Sequence, residues 1–83
     1  MVSYIVMARS EFLRALERQM EVAEGALKED QLLSQTEGWD SMASVLFIAL
    51  ADEKLGAIVS GNQIAQASTV GDLLNLVGDR FTP

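Results

Sequence analysis

Gly38-Trp39-Asp40-Ser41-Met42-Ala43-Ser44 runs without a break into Val45-Leu46-Phe47-Ile48-Ala49-Leu50-Ala51, so a polar, glycine-marked loop turns here into a strongly apolar segment. Asp is among the best helix N-cap residues, and Asp40 in that position makes Ser41 the first helical residue. A serine there lies beside backbone N–H groups that no carbonyl of the helix can reach, at the positive end of the helix dipole. That environment suits a phosphate. The helix should run from Ser41 to about Leu55 and stop at Gly56, a residue suited to the left-handed conformation beyond a helix end. Its run of nonpolar residues leaves little polar surface, which makes it the most buried helix, one with an exposed apolar face, or both.

Upstream, Phe12, Leu13, Leu16 and Met20 recur at helical spacing with Arg9, Arg14, Glu17, Arg18 and Glu21 on other faces. This predicts an amphipathic first helix capped by Ser10, with Gly25 at its end or in the loop just beyond. Leu27, Leu32 and Leu33 then occur without a sustained period. The expectation is a long loop held down by a few leucines, uncommon in so small a domain unless its side chains anchor it or it has a function. Downstream, Ser60-Gly61-Asn62-Gln63 has the form of a capping box and opens a short helix through about Ala67 that offers Ile64 to the core. Thr69 and Asp72 form a similar cap for a last helix carrying Val70, Leu73, Leu74 and Val77 up to Gly78. Asp79-Arg80-Phe81-Thr82-Pro83 reads as a fraying end. No strand-like alternation, repeat or low-complexity tract is present, so the class is all-α, a small bundle of three longer helices and one short one.

The chain of 83 residues contains neither Cys nor His. A single core of this size is marginal without metals or disulfides. The same absence removes Cys and His nucleophiles, His general bases and the usual zinc ligands, so an enzyme using Ser41 as nucleophile has no evident base, and no metal site is expected. Twelve acidic against six basic residues give a net charge of −6, which repels phosphate backbones and argues against nucleic-acid binding. Seven of the acids fall between Glu11 and Glu37, where a solvated surface is the simplest reading. The apolar run is far short of the ~20 residues that span a bilayer. Residues 1–9 lack the pattern of a signal peptide and read as an extension, poorly ordered or adding a short helical turn, before a single domain over residues 10–80. The expected location is cytoplasmic.

Asp40-Ser41-Met42, with Val45 beyond it, resembles the Asp-Ser-Leu signature of the acyl carrier protein family. Asp52-Glu53-Lys54-Leu55-Gly56 is similar to that family's acidic end of the second helix, and Ser68-Thr69-Val70-Gly71-Asp72 to the start of its last helix. The three blocks stand in order across the C-terminal half, while the N-terminal third matches in pattern only. The resemblance implies a four-helix acyl-carrier bundle with its long loop between helices 1 and 2. It also implies that Ser41 carries 4′-phosphopantetheine, transferred from coenzyme A by a phosphopantetheinyl transferase, with Asp40 capping the helix and helping to hold the transferase's metal. A monomeric carrier, not itself an enzyme, would then present a thioester to acyl-loading and acyl-using enzymes of lipid or polyketide biosynthesis.

Several alternatives stand beside this. Asp40-Ser41 taken alone is an ordinary helix start. Trp39 is a loop anchor or a surface aromatic that touches partners. Met42, Val45, Phe47, Ile48, Val59, Ile64 and Ala67 line either a dry core or a cavity for cargo, with Met42 the most adaptable. The family's acidic recognition positions are held here by Ala43, Leu46, Asn62 and Ala65. Poor service to a standard fatty-acid synthase follows, with Trp39, Met42 and Leu46 as contacts for a dedicated partner. The other function classes are an aminoacyl or peptidyl carrier and an unloaded carrier-fold interaction module.

Overall fold

A computed structural model describes residues 7–82. The helices are α1 (Arg9–Met20), α2 (Ser41–Leu55), α3 (Gly61–Ala65) and α4 (Val70–Asn75), with 3-10 turns at Leu33–Gln35 and Gly78–Arg80. No strand is present among the described residues, only two isolated bridges, Met7 with Phe81 and Leu32 with Thr69. The expected helices are all found, but two are long and two short, because α4 tightens early. Leu76 and Val77 donate to the carbonyls three residues back, Leu73 and Leu74, and the chain leaves the α-helix before Gly78.

α1 begins one residue before the expected cap. Ala8 is the N-cap, Ser10 lies within the helix, and Glu11 Oε1 accepts from the Ala8 N–H at 2.8 Å. A carboxylate reaching back thus replaces the predicted serine cap. The helix also ends earlier than Gly25. Glu21 adopts the left-handed conformation (φ 59°), and Val22 N–H bonds back to Glu17 O at 3.1 Å, a Schellman-type closure without glycine.

The core gathers one face of each helix. Phe12 and Leu16 of α1 meet Phe47, Leu50 and Ala51 of α2, with Ile64 of α3 and Val70, Leu73 and Leu74 of α4 completing it. Phe12 stands edge-on to Phe47, ring centres 5.8 Å apart at 87°, the arrangement aromatic quadrupoles prefer.

The loop of residues 21–40 is fixed from two sides. Glu17, only 1% exposed, turns its carboxylate toward the loop, where Oε2 accepts from Leu27 N–H at 2.8 Å and Gly25 N–H at 3.0 Å. Arg14 Nε sits 2.7 Å from Oε1, a charge contact and not an aligned hydrogen bond. Glu17 is therefore the exception to the solvated-surface reading of the N-terminal acids. Leu27 and Leu33 enter the core as expected, whereas Leu32 remains 42% exposed because its backbone pairs with Thr69.

The second attachment is to α4. The first N–H groups of a helix have no partner within it. Here Val70 N–H donates to Gln31 O at 3.1 Å, Gly71 N–H to Glu29 O at 2.8 Å, and Asp72 N–H to Thr69 Oγ1 at 3.0 Å. A side chain at position 71 would bring its Cβ to 3.0 Å from Glu29 O, so the close approach requires Gly71. Arg9 closes the join, pairing with Glu29 at 2.8 Å and donating to Gly71 O at 3.2 Å.

The chain ends are part of the fold. Phe81 packs on Phe12 with centres 5.6 Å apart, Thr82 N–H donates to Met7 O at 3.1 Å, and Arg80 donates to Leu55 O at 3.2 Å, over the end of α2. The expected fraying end is thus pinned, and residues 7–9 belong with the domain; the first six residues lie outside the described ones.

Glu17→Ala removes the shared acceptor of two loop N–H groups and strands part of the Arg14 charge. A loss of ~3 kcal/mol is expected, read from urea unfolding; a loss below ~0.5 kcal/mol, typical of a neutral surface change, would show that the loop does not depend on this carboxylate.

The Ser68 N–H, and after it that of Thr69, holds the Asp72 carboxyl below the usual carboxylate range. Because the folded pKa is lowered, its contribution is complete above the unfolded Asp pKa and is lost as pH falls through the folded value. Asp72→Asn should flatten the acid limb of a stability-against-pH curve and leave its slope above pH ~5 unchanged; equal limbs in both proteins would refute this.

Candidate functional site

The loop delivers its last residues to the start of α2 through Gly38, whose φ of 86° favours glycine. Trp39 follows, half-buried against the core, with its N–H bonded to Thr36 O at 3.1 Å. Of its two readings the structure supports the loop anchor. Asp40 is the N-cap as expected, Oδ1 accepting from Ala43 N–H at 2.9 Å.

Ser41 is the first residue of the 15-residue α2 and is exposed. Among the described residues its hydroxyl makes no hydrogen bond, and the N–H groups of Ser41 and Met42 have no partner. Ser44 differs, its hydroxyl directed back to Asp40 O at 3.3 Å. Position 41 therefore combines an unencumbered hydroxyl with the positive end of a long helix, a donor set that fits a phosphodiester.

The phase of α2 decides which apolar residues remain outside. Ala43, Phe47, Leu50, Ala51 and Leu55 face inward, which turns Met42, Val45 and Ala49 out. Met42 is 65% and Val45 59% exposed, and beyond the helix Ile58 is 91% exposed. Met42 and Val45 therefore lie outside the bundle interior, contrary to that reading, while Phe47, Val59 and Ile64 are core residues. Leu46 is half-buried, so the exposed apolar surface of α2 belongs more to Met42 and Val45. Nothing in the sequence marked Val45 or Ile58 as a surface residue; α2 has almost no amphipathic asymmetry to fix its phase.

A depression of about 170 Å³ is bordered by Asp40 and Met42, the chain neighbours of Ser41, together with Met20, Gly38 and Leu46; Ser41 itself does not line it. A larger one of about 560 Å³ lies along the loop, bordered by Val22, Ala26, Gln31, Gln35, Glu37 and Gly38. No group of acidic residues that could hold a metal ion occurs among the described residues. No helix there is long and apolar enough to cross a membrane.

No protein-family model, curated protein or solved structure matches the chain.

Asp40→Ala should lose ~1 kcal/mol through the missing cap, whereas Ser41→Ala should stay within ~0.5 kcal/mol of the parent because its hydroxyl bonds nothing. Thermal unfolding of both variants tests the contrast; a comparable loss from Ser41→Ala would give that serine a structural role.

Proposed function

We propose that the chain is a specialised acyl carrier protein, loaded with 4′-phosphopantetheine at Ser41. The observation that carries the reading is the exposed, unbonded Ser41 hydroxyl at the first position of a long capped helix, within sequence blocks that resemble the family's. In the loading step Ser41 Oγ bonds to the phosphorus of coenzyme A that bears the pantetheine. The bond from that phosphorus to the bridging pyrophosphate oxygen breaks, the nucleotide half leaves, and the hydroxyl proton passes to a base of the transferase. The attached arm supplies a thiol that holds an acyl group as a thioester, chemistry this cysteine-free chain lacks.

The chain's own residues divide the remaining work. Asp40 fixes the start of α2, so the serine is presented in one orientation. Gly38 makes the turn that leads to Asp40, and Trp39 packs on the core just before it. The free N–H groups of Ser41 and Met42 face the region a phosphate would take and favour its charge. Met42 and Val45, with Leu46 beside them, form the contact face for loading and using enzymes, in place of the acidic one common in the family. At Ala43 a carboxylate would be forced into the core. An apolar face of this kind associates with less electrostatic steering, and so serves a dedicated partner in place of a standard fatty-acid synthase. The carrier acts as a cytoplasmic monomer and catalyses nothing itself.

The exposed Met42, Val45 and Ile58 also favour a second reading, an unloaded module that binds a partner through this face. Intact-protein mass after incubation with coenzyme A, magnesium and a broad-specificity transferase separates the two. One phosphopantetheine is expected on the parent and none on Ser41→Ala. An unchanged mass for the folded parent would favour the unloaded module.

A further inference from the structure

The depression bordered by Asp40 and Met42, on either side of Ser41 in the chain, is small. Its 170 Å³ amounts to roughly six water volumes at ~30 Å³ each, too little for a phosphopantetheine arm. It does not stand alone, however. Gly38 borders both it and the 560 Å³ depression along the loop, and Ala26, Gln31 and Gln35 border the latter together with a third, of about 650 Å³, that reaches Lys28 and Asp30. At the junction Gly38 has no side chain, and a Cβ there would lie within 3.5 Å of Val22 and 3.9 Å of Met20, narrowing the passage.

The lining is suited to one kind of occupant. Gln31 is half-buried and Gln35 exposed, and among the described residues neither side-chain amide makes a hydrogen bond. Only their backbones are used: Gln31 O accepts from Val70 N–H, Gln31 N–H donates to Lys28 O, and Gln35 N–H donates to Leu32 O. Two free primary amides thus border a depression whose other walls include Val22 and Ala26. A pantetheine arm offers a gem-dimethyl group followed by two secondary amides, an order that matches small apolar walls followed by amide donors and acceptors. Its reach from the serine oxygen is about that of five extended residues, ~17 Å.

We propose that, once attached at Ser41, the arm rests along the α1–α2 loop, passing Gly38 and pairing its amides with the side chains of Gln31 and Gln35. This rests on the carrier reading of Ser41. The loop is then more than a connection, because the carboxylate of Glu17 and the pairing with α4 hold a bed for the resting arm. A partner that draws the arm into its own active site must break those two side-chain pairings, and the resting thiol lies on the loop side of the molecule, away from the α3–α4 depression bordered by Gln63, Gln66 and Leu76.

The test is a comparison of amide NMR spectra of ¹⁵N-labelled protein before and after loading from coenzyme A, with complete loading first verified by mass. Shifts are expected at residues 22–35, including the side-chain amides of Gln31 and Gln35. In the double variant Gln31→Ala, Gln35→Ala, loading and far-UV circular dichroism should match the parent, the shifts at Ser41 and Met42 should persist, and those along the loop should be lost. Shifts confined to residues 39–46 in the loaded parent would mean an arm free in solvent and would overturn the proposal, as would shifts centred on Gln63 and Gln66. Absence of loading on the folded parent is a distinct failure, which removes the carrier reading and this inference with it.

Discussion

A twenty-residue connection whose regular structure is one 3-10 turn is expensive to order, and in this domain a buried carboxylate holds its first part. Glu17 projects from the last turns of α1 into the space where the loop turns back, and it gives two loop N–H groups an acceptor, that of Leu27 being buried. Unpaired buried donors cost more than the bonds themselves return, so the arrangement persists only with all its members in place. Arg14 balances the charge from the half-exposed side.

From that anchor the other constraints follow in chain order. The loop can lie flat only if its next stretch also finds partners, and it finds them in the orphan N–H groups at the start of α4. Gln31 and Glu29 act as a backbone cap for a helix too short to be stable alone. The final stretch, Gly38 to Asp40, is then delivered to the start of α2 against a core that already contains Trp39. Glu17 and Ser41 are thus linked through one continuous, anchored segment, and the proposed attachment point owes its presentation to a residue far from it.

α2 serves two demands at once. One face supplies Phe47, Leu50 and Ala51 to a core that a chain of this size can barely fill, and the opposite face leaves Met42 and Val45 in solvent. A helix that needed only to pack would place polar residues there. In the proposed carrier role, these exposed apolar side chains beside the serine are what a partner would grip.

The sequence by itself determined the elements whose signals are local. Asp40 and Gly56 bounded α2 to the residue, Ser60 with Gln63 and Thr69 with Asp72 marked the short helices, and the candidate site at Ser41 was legible because a cap and a first helical position are fixed by neighbouring residues alone. Tertiary structure decided what depends on residues distant in the chain. Glu21 ended α1 without a glycine and Glu17 was drawn inside, because both were set by the path of the loop, whereas Ser10 lost its capping role to Glu11 by a local exchange. Periodicity could not separate the inner from the outer face of α2, apolar on all sides, until Phe12 and Leu16 fixed its rotation. The ends of the chain were pinned for the same reason. Phe81 and Met7 are seventy-four residues apart, and only the packed helices bring them together.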